Sequence, residues 1–246
     1  RYEPCGGKQE ETADPKMATS DKMIGSSAAW AAGYTGAGSR IAIIDTGADV
    51  DHPSLDPDAL KYALQGSNAT IMTEADLTDE VLNQLNAYTR KAGLTAADFY
   101  VNEKIPFGFN YVDADTDITH DNDTQGDHGS HVTGIAAGNR FVKDEAGNYV
   151  AALDSVMTQG VAPDAQILTM KVFGKRGGAY DSDYMVAIED AMVLGADAAN
   201  LSLGGSFPGY SEYTEEKYRH ILDEIVGSGM VVAISAGNSG SWFDQI

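Results

Sequence analysis

Cysteine is almost absent. Cys5 stands alone in 246 residues, so no disulfide can form within the chain, and packing rather than covalent staples must hold the fold. Cations are scarce as well. Sixteen Lys and Arg stand against 37 Asp and Glu, a formal net charge of −21. That balance argues against nucleic acid or an anionic membrane as partner, since both require clustered Lys and Arg. Long apolar runs are missing: no stretch of about 18 apolar residues occurs, so no membrane-spanning helix is expected. The first residues carry no signal-peptide pattern, so an exported form is expected to have shed its leader. There is no internal repeat and no low-complexity tract. What is there, 43% hydrophobic residues, is ordinary for a protein with a substantial core.

One stretch organises the rest: Gly126-Asp127-His128-Gly129-Ser130-His131-Val132-Thr133-Gly134-Ile135-Ala136-Ala137-Gly138. Glycines bracket a histidine at a turn that feeds a helix. The small residues of that helix allow close packing on a sheet. A histidine held by such a turn is fixed enough for proton transfer. Upstream, Arg40-Ile41-Ala42-Ile43-Ile44-Asp45 is a continuous apolar run too short for a helix, which predicts a strand buried on both faces. Asp45 closes it, and ligands bind at that edge of open α/β sheets.

The remaining chain alternates. Strands are expected at 107–112, 166–172, 198–203 and 230–235, and helices at 26–32, 182–194 and 213–228. This pattern predicts an α/β fold with a doubly wound, mostly parallel sheet and helices on both faces. Residues 1–22 read as a polar arm, and 23–246 as the N-terminal part of one larger domain. Within it, 56–106 reads as a surface insertion with one amphipathic helix over roughly 73–92, apolar at Leu77, Val81, Leu82, Leu85 and Tyr88.

Three strand ends and the histidine turn thus bring chemistry to one edge: Asp45, Ser202-Leu203-Gly204-Gly205, and Ser235-Ala236-Gly237-Asn238, with His128 between. An Asp that orients a His, plus an amide donor, is most of a nucleophilic acyl-transfer site. Asp45-Thr46-Gly47 with His52-Pro53, His128-Gly129-Ser130-His131-Val132, Gly160-Val161-Ala162-Pro163, Ser202-Leu203-Gly204-Gly205 and Ala236-Gly237-Asn238 together resemble a subtilisin-type serine protease. The insertion, followed by Phe107-Gly108-Phe109-Asn110-Tyr111, is similar to the lactocepin group of Gram-positive cell-envelope proteinases.

The resemblance implies a role for each residue. Asp45 orients His128 and stabilises its protonated form; His128 is the general base; Asn238 donates to the tetrahedral oxyanion. Ser202, Leu203 and Gly204 with Ser235, Ala236 and Gly237 would wall the primary specificity pocket, and the strand edge around Gly178 would pair an extended substrate. It also implies a secreted or cell-surface endopeptidase acting on protein or peptide, with no organic cofactor and with structural calcium assigned to no residue. One departure matters. The family order is Asp, His, Ser, and no Gly-Thr-Ser segment follows Asn238. The nucleophile is therefore expected beyond residue 246. A sheet ending at 230–235 would be incomplete there, so a second chain or a continuation should supply the remaining strands, with cleavage around 240–246 the favoured origin.

Other readings stay open on the residues alone. Asp45-Thr46-Gly47 also suits an aspartic protease, which pairs two such loops, although this chain has one. A protease-like binding module without its nucleophile is a second reading. Asp113, Asp115 and Asp117 begin like a calcium loop, but the positions expected to be Gly and Glu are Ile118 and Thr124. His128 and His131 lack the following Glu of a zinc-protease motif. Asn68, Asn122 and Asn200 begin glycosylation sequons and read as chance.

Overall fold

A computed structural model describes residues 2–4, 18–121, 123–155, 158–205 and 212–238. The strands among them are β1 (Tyr2–Pro4), β2 (Arg40–Asp45), β3 (Phe107–Asn110), β4 (Phe141–Lys143), β5 (Tyr149–Ala151), β6 (Gln166–Lys171), β7 (Ala198–Leu201), β8 (Leu203–Gly205) and β9 (Val231–Ile234). The helices are α1 (Ala18–Ile24), α2 (Ser26–Ala31), α3 (Pro57–Ala63), α4 (Asp79–Leu82), α5 (Asn86–Arg90), α6 (Ala96–Phe99), α7 (His128–Ala137), α8 (Asp181–Val193) and α9 (Glu212–Ser228).

The main sheet has five strands in the order β3-β6-β2-β7-β9, and every pairing is parallel. β2 lies at its centre, which is why its residues are apolar on both sides. Ala42 and Ile44 enter one core with β6, α8 and α9, and Ile43 enters a second with α7 through Ala137. Helices therefore cover both faces. β7 and β6 flank β2 on opposite sides although they follow one another among the strands of this sheet, so the strand order reverses across β2. Its C-terminal end is the crevice where such folds bind ligands. β9 pairs only with β7 among the described residues, and Val231 and Ile234 are 68% and 63% exposed.

Two stretches differ from expectation. Residues 73–92 are not one helix. Asp76 accepts from the N–H and hydroxyl of Thr73, Thr78 Oγ1 accepts from the N–H of Val81, and Asp98 accepts from both donors of Thr95. Each cap starts a new short turn and so ends the one before it. Nor is the segment confined to the surface: Met72, Leu77, Leu82, Leu85 and Phe99 are buried in the main core. Asp190 of α8 receives the N–H groups of Asn86 and Ala87 at 2.7 and 2.9 Å and the Tyr111 hydroxyl at 2.9 Å. It thereby caps α5 from another element, and its burial raises its pKa above the ordinary carboxylate value. In the expected N-terminal arm, Tyr2–Pro4 pairs antiparallel with Leu203–Gly205, and α1 begins at Ala18. Cys5, Asn122 and residues 239–246, with the expected cleavage loop, lie outside the described residues.

Candidate active site

Asp45 ends β2 with its side chain fully buried, and α7 brings His128 to it. His128 Nδ1 lies 2.7 Å from Asp45 Oδ1, which also accepts the backbone N–H of Thr46 at 2.7 Å. An ionised carboxylate can only accept, so the proton of a neutral imidazole sits on Nδ1 and the lone pair on Nε2. That is the tautomer of a general base. Asp45 Oδ2 is buried and has no hydrogen-bond partner among the described residues. An imidazolium forming at His128 would face that carboxylate at 2.7 Å and be stabilised by it. The His128 side chain is 11% exposed, so the ring reaches the surface of the crevice.

Two glycines make this contact possible. Gly129 donates its N–H to Thr46 Oγ1 at 2.8 Å, and a Cβ on Gly129 would stand 2.1 Å from the carbonyl oxygen of Gly47. Gly47 has φ 109°, and a Cβ there would stand 2.2 Å from the carbonyl oxygen of Ile118. Ala48 donates to that carbonyl at 2.9 Å, and Ser130 Oγ accepts from the N–H of Asp49 at 2.7 Å. The Asp-Thr-Gly turn and the first turn of α7 are thus threaded into each other. His128 is the first residue of the helix rather than part of the turn before it. His131 is exposed. His52 caps the short 53–55 turn by accepting the N–H of Ser54.

The far end of α7 is fixed by Gly160-Val161-Ala162. Their N–H groups donate to the carbonyls of Gly138, Ile135 and Ala136 at 2.8, 2.9 and 2.9 Å, which satisfies acceptors that a helix end leaves open. This motif holds the end of the helix.

The two strand-end segments lie side by side. Ser235 donates its N–H to Leu201 O at 3.0 Å and its hydroxyl to Leu203 O at 2.7 Å. Gly237, at φ 79°, would carry a Cβ 3.7 Å from the Cα of Gly204. Ser202 donates to Asn200 Oδ1 at 2.9 Å. Leu203 is buried and Ala236 exposed. Gly178 is buried with φ 83°. Asn238 is exposed beyond the C-terminal end of β9, at the same sheet edge as Asp45, and no hydrogen bond joins it to His128 or Asp45 among the described residues. Asp45 and His128 are therefore brought into contact, the segments 202–204 and 235–237 expected to wall a pocket lie side by side, and the two groups share an edge.

Sequence reasoning missed Lys171. Its ammonium, at the end of β6 and 2% exposed, donates to the carbonyl of Thr46 and to Asp123. A lysine closing the apolar run 167–170 was the one signal in the sequence; its register opposite Asp45 comes only from the sheet. The carboxylates of the acidic loop have partners both within the loop and on Lys175. Asp113 accepts from Asn110 and the N–H of Lys175, Asp115 pairs with Lys175, and Asp117 accepts from Thr119.

The Subtilase family profile matches residues 36–245. The PI-type proteinase of Lactococcus lactis subsp. cremoris is 33% identical over 235 residues, covering 92% of this chain and 11% of that protein. The minor extracellular protease Vpr of Bacillus subtilis is 30% identical over 238 residues, 94% of this chain and 21% of its own length. A C5a peptidase of Streptococcus pyogenes is 29% identical over 209 residues, 84% of this chain and 15% of its own. The chain thus spans a small part of the relatives it matches.

Proposed function

The chain belongs to the subtilase family, and from that premise we propose that it forms the Asp- and His-bearing part of a secreted or cell-surface serine endopeptidase. The observation that carries the reading is the 2.7 Å contact from fully buried Asp45 to His128 Nδ1. In the proposed reaction a seryl hydroxyl from outside residues 1–246 attacks the scissile carbonyl and gives its proton to His128 Nε2. Asp45 stabilises the imidazolium, and Asn238 donates to the oxyanion. His128 then protonates the leaving amine, and water hydrolyses the acyl-enzyme by the same route. The chemistry uses protein side chains and needs no organic cofactor.

Several features support the substrate side. Ser202–Gly204 and Ser235–Gly237 run together at the sheet edge, and Tyr2–Pro4 already pairs antiparallel with Leu203–Gly205. That edge therefore accepts an extended chain, the mode by which strand addition binds peptides. β9 pairs only with β7 among the described residues, and its open edge favours a further strand of the same domain pairing there. The minor extracellular protease Vpr among the relatives supports a secreted or cell-surface setting. An aspartic-protease reading is disfavoured, because Asp45 is committed to a histidine and the sequence has one Asp-Thr-Gly.

The test is fluorophosphonate labelling of the full-length protein followed by peptide mapping. Labelling at a serine outside residues 1–246 that is lost in His128→Ala supports the proposal. A labelled serine within 1–246 refutes the divided triad. Absence of labelling with retained binding of peptide identifies a binding module, and pepstatin-sensitive hydrolysis identifies an aspartic protease.

A further inference from the structure

Lys171 and Asp123 form a buried ion pair that the proposed chemistry does not use, each side chain 2% exposed. Two ions in a protein interior are a costly way to hold a fold, since an apolar pair of similar size often does as well or better. Its position is more telling than its energy. Lys171 ends β6 directly opposite Asp45 in the parallel register. Its ammonium donates to the carbonyl of Thr46, the residue after Asp45, and to Asp123, five residues before His128. One side chain therefore grips the backbone beside one half of the dyad and the stretch leading to the other half.

Four tethers link the Thr46–Ala48 turn to that stretch. Ala48 donates to Ile118 O at its start, Lys171 bridges to Asp123 in its middle, and near its end the Thr46 hydroxyl donates to Gly126 O at 3.4 Å and accepts from the N–H of Gly129 at 2.8 Å. The Lys171 bridge is the one of the four that depends on a charged side chain. Asp123 also accepts the N–H of Gln125 at 2.9 Å and donates its own to His120 O at 3.3 Å, so its backbone is fixed to the carboxylate that Lys171 holds.

We propose that Lys171, acting through Asp123, is a positioning residue that sets the distance between Asp45 and His128. It touches neither substrate nor the reacting atoms. The proposal rests on the peptidase reading above for its kinetic consequence, but the geometry it concerns can be read without catalysis.

The experiment compares full-length wild-type protein with Lys171→Met and with the double variant Lys171→Met/Asp123→Leu. Melting temperature, kcat, KM and the far-downfield proton resonance of the Asp45–His128 hydrogen bond are measured. The single variant leaves Asp123 buried and unpaired, so both its melting temperature and its kcat should fall. The double variant removes that charge, so its melting temperature should recover. Its kcat should stay about 10²-fold low with KM unchanged, the cost of a catalytic group displaced by about 1 Å, and the downfield resonance should remain broadened or lost. A double variant with wild-type kcat and an intact resonance overturns the proposal and leaves the pair a purely structural one. If full-length wild-type protein hydrolyses no peptide, the peptidase reading fails. The resonance then decides the positioning role alone: its loss in the double variant supports it, and its persistence refutes it.

Discussion

Gly129→Ala is the smallest perturbation that should separate the dyad. The added methyl would lie 2.1 Å from Gly47 O, 2.9 Å from Gly47 N and 3.0 Å from Thr46 Oγ1. Two of these atoms are backbone and cannot rotate away. Ordinary contact begins near 3.4 Å, so the start of α7 must retreat from the turn by about 1.3 Å. His128 is the neighbouring residue, and a retreat of that size would open its 2.7 Å bond to Asp45 to about 4 Å, beyond hydrogen-bonding range. Overpacking costs about 1–3 kcal/mol, while Ala in place of Gly within a helix returns up to about 1 kcal/mol. The net loss of stability is therefore modest, about 0–2 kcal/mol, whereas kcat should fall by about 10²-fold. The assay pairs thermal unfolding with peptide hydrolysis by the full-length protein. A folded Gly129→Ala protein with wild-type kcat would refute the close threading of the two turns.

Asp45→Asn should leave the fold intact and lower kcat by about 10⁴-fold, as the same change does in another serine protease; near-normal kinetics would remove Asp45 from the triad. Asn238→Ala should lower kcat by about 10²–10³-fold, the magnitude known for losing one oxyanion donor in a subtilisin, with little change in KM. A rise in KM alone would make Asn238 a ground-state binding residue. Lys104 is fully buried with its ammonium on the carbonyls of Pro163 and Ala165, and burial pushes its pKa down to about 7. Between pH 7 and the ordinary lysine value of 10.5 the unfolded chain binds the extra proton, so this group's contribution to stability rises with pH across that window and is flat below it. The melting temperature of Lys104→Met relative to wild type should therefore fall as pH rises from 7 to 10, and a pH-independent difference would contradict the shift.

What the sequence determined by itself was local or periodic. The unbroken apolar run of 40–45 predicts a strand buried on both faces, and β2 spans Arg40–Asp45 at the centre of a parallel sheet. The alternation of strands and helices predicts the α/β class. Asp45 and His128 were legible because each sits in a short motif whose glycines have a steric reason, visible in the contacts of Gly47 and Gly129. The reading of one helix over 73–92 followed the amphipathic spacing and passed over the caps at Thr73, Thr78 and Thr95, which outweigh it. Tertiary structure alone decided the rest. Only folding brings the carboxylate of Asp190 to the start of α5 and the ammonium of Lys171 to Thr46 and Asp123. Only folding sets Gly160-Val161-Ala162 on the end of α7 and Tyr2–Pro4 beside Leu203–Gly205. In each case a polar group finds its partner far along the chain, and no local period, cap or turn rule records which distant group a buried donor or acceptor will meet.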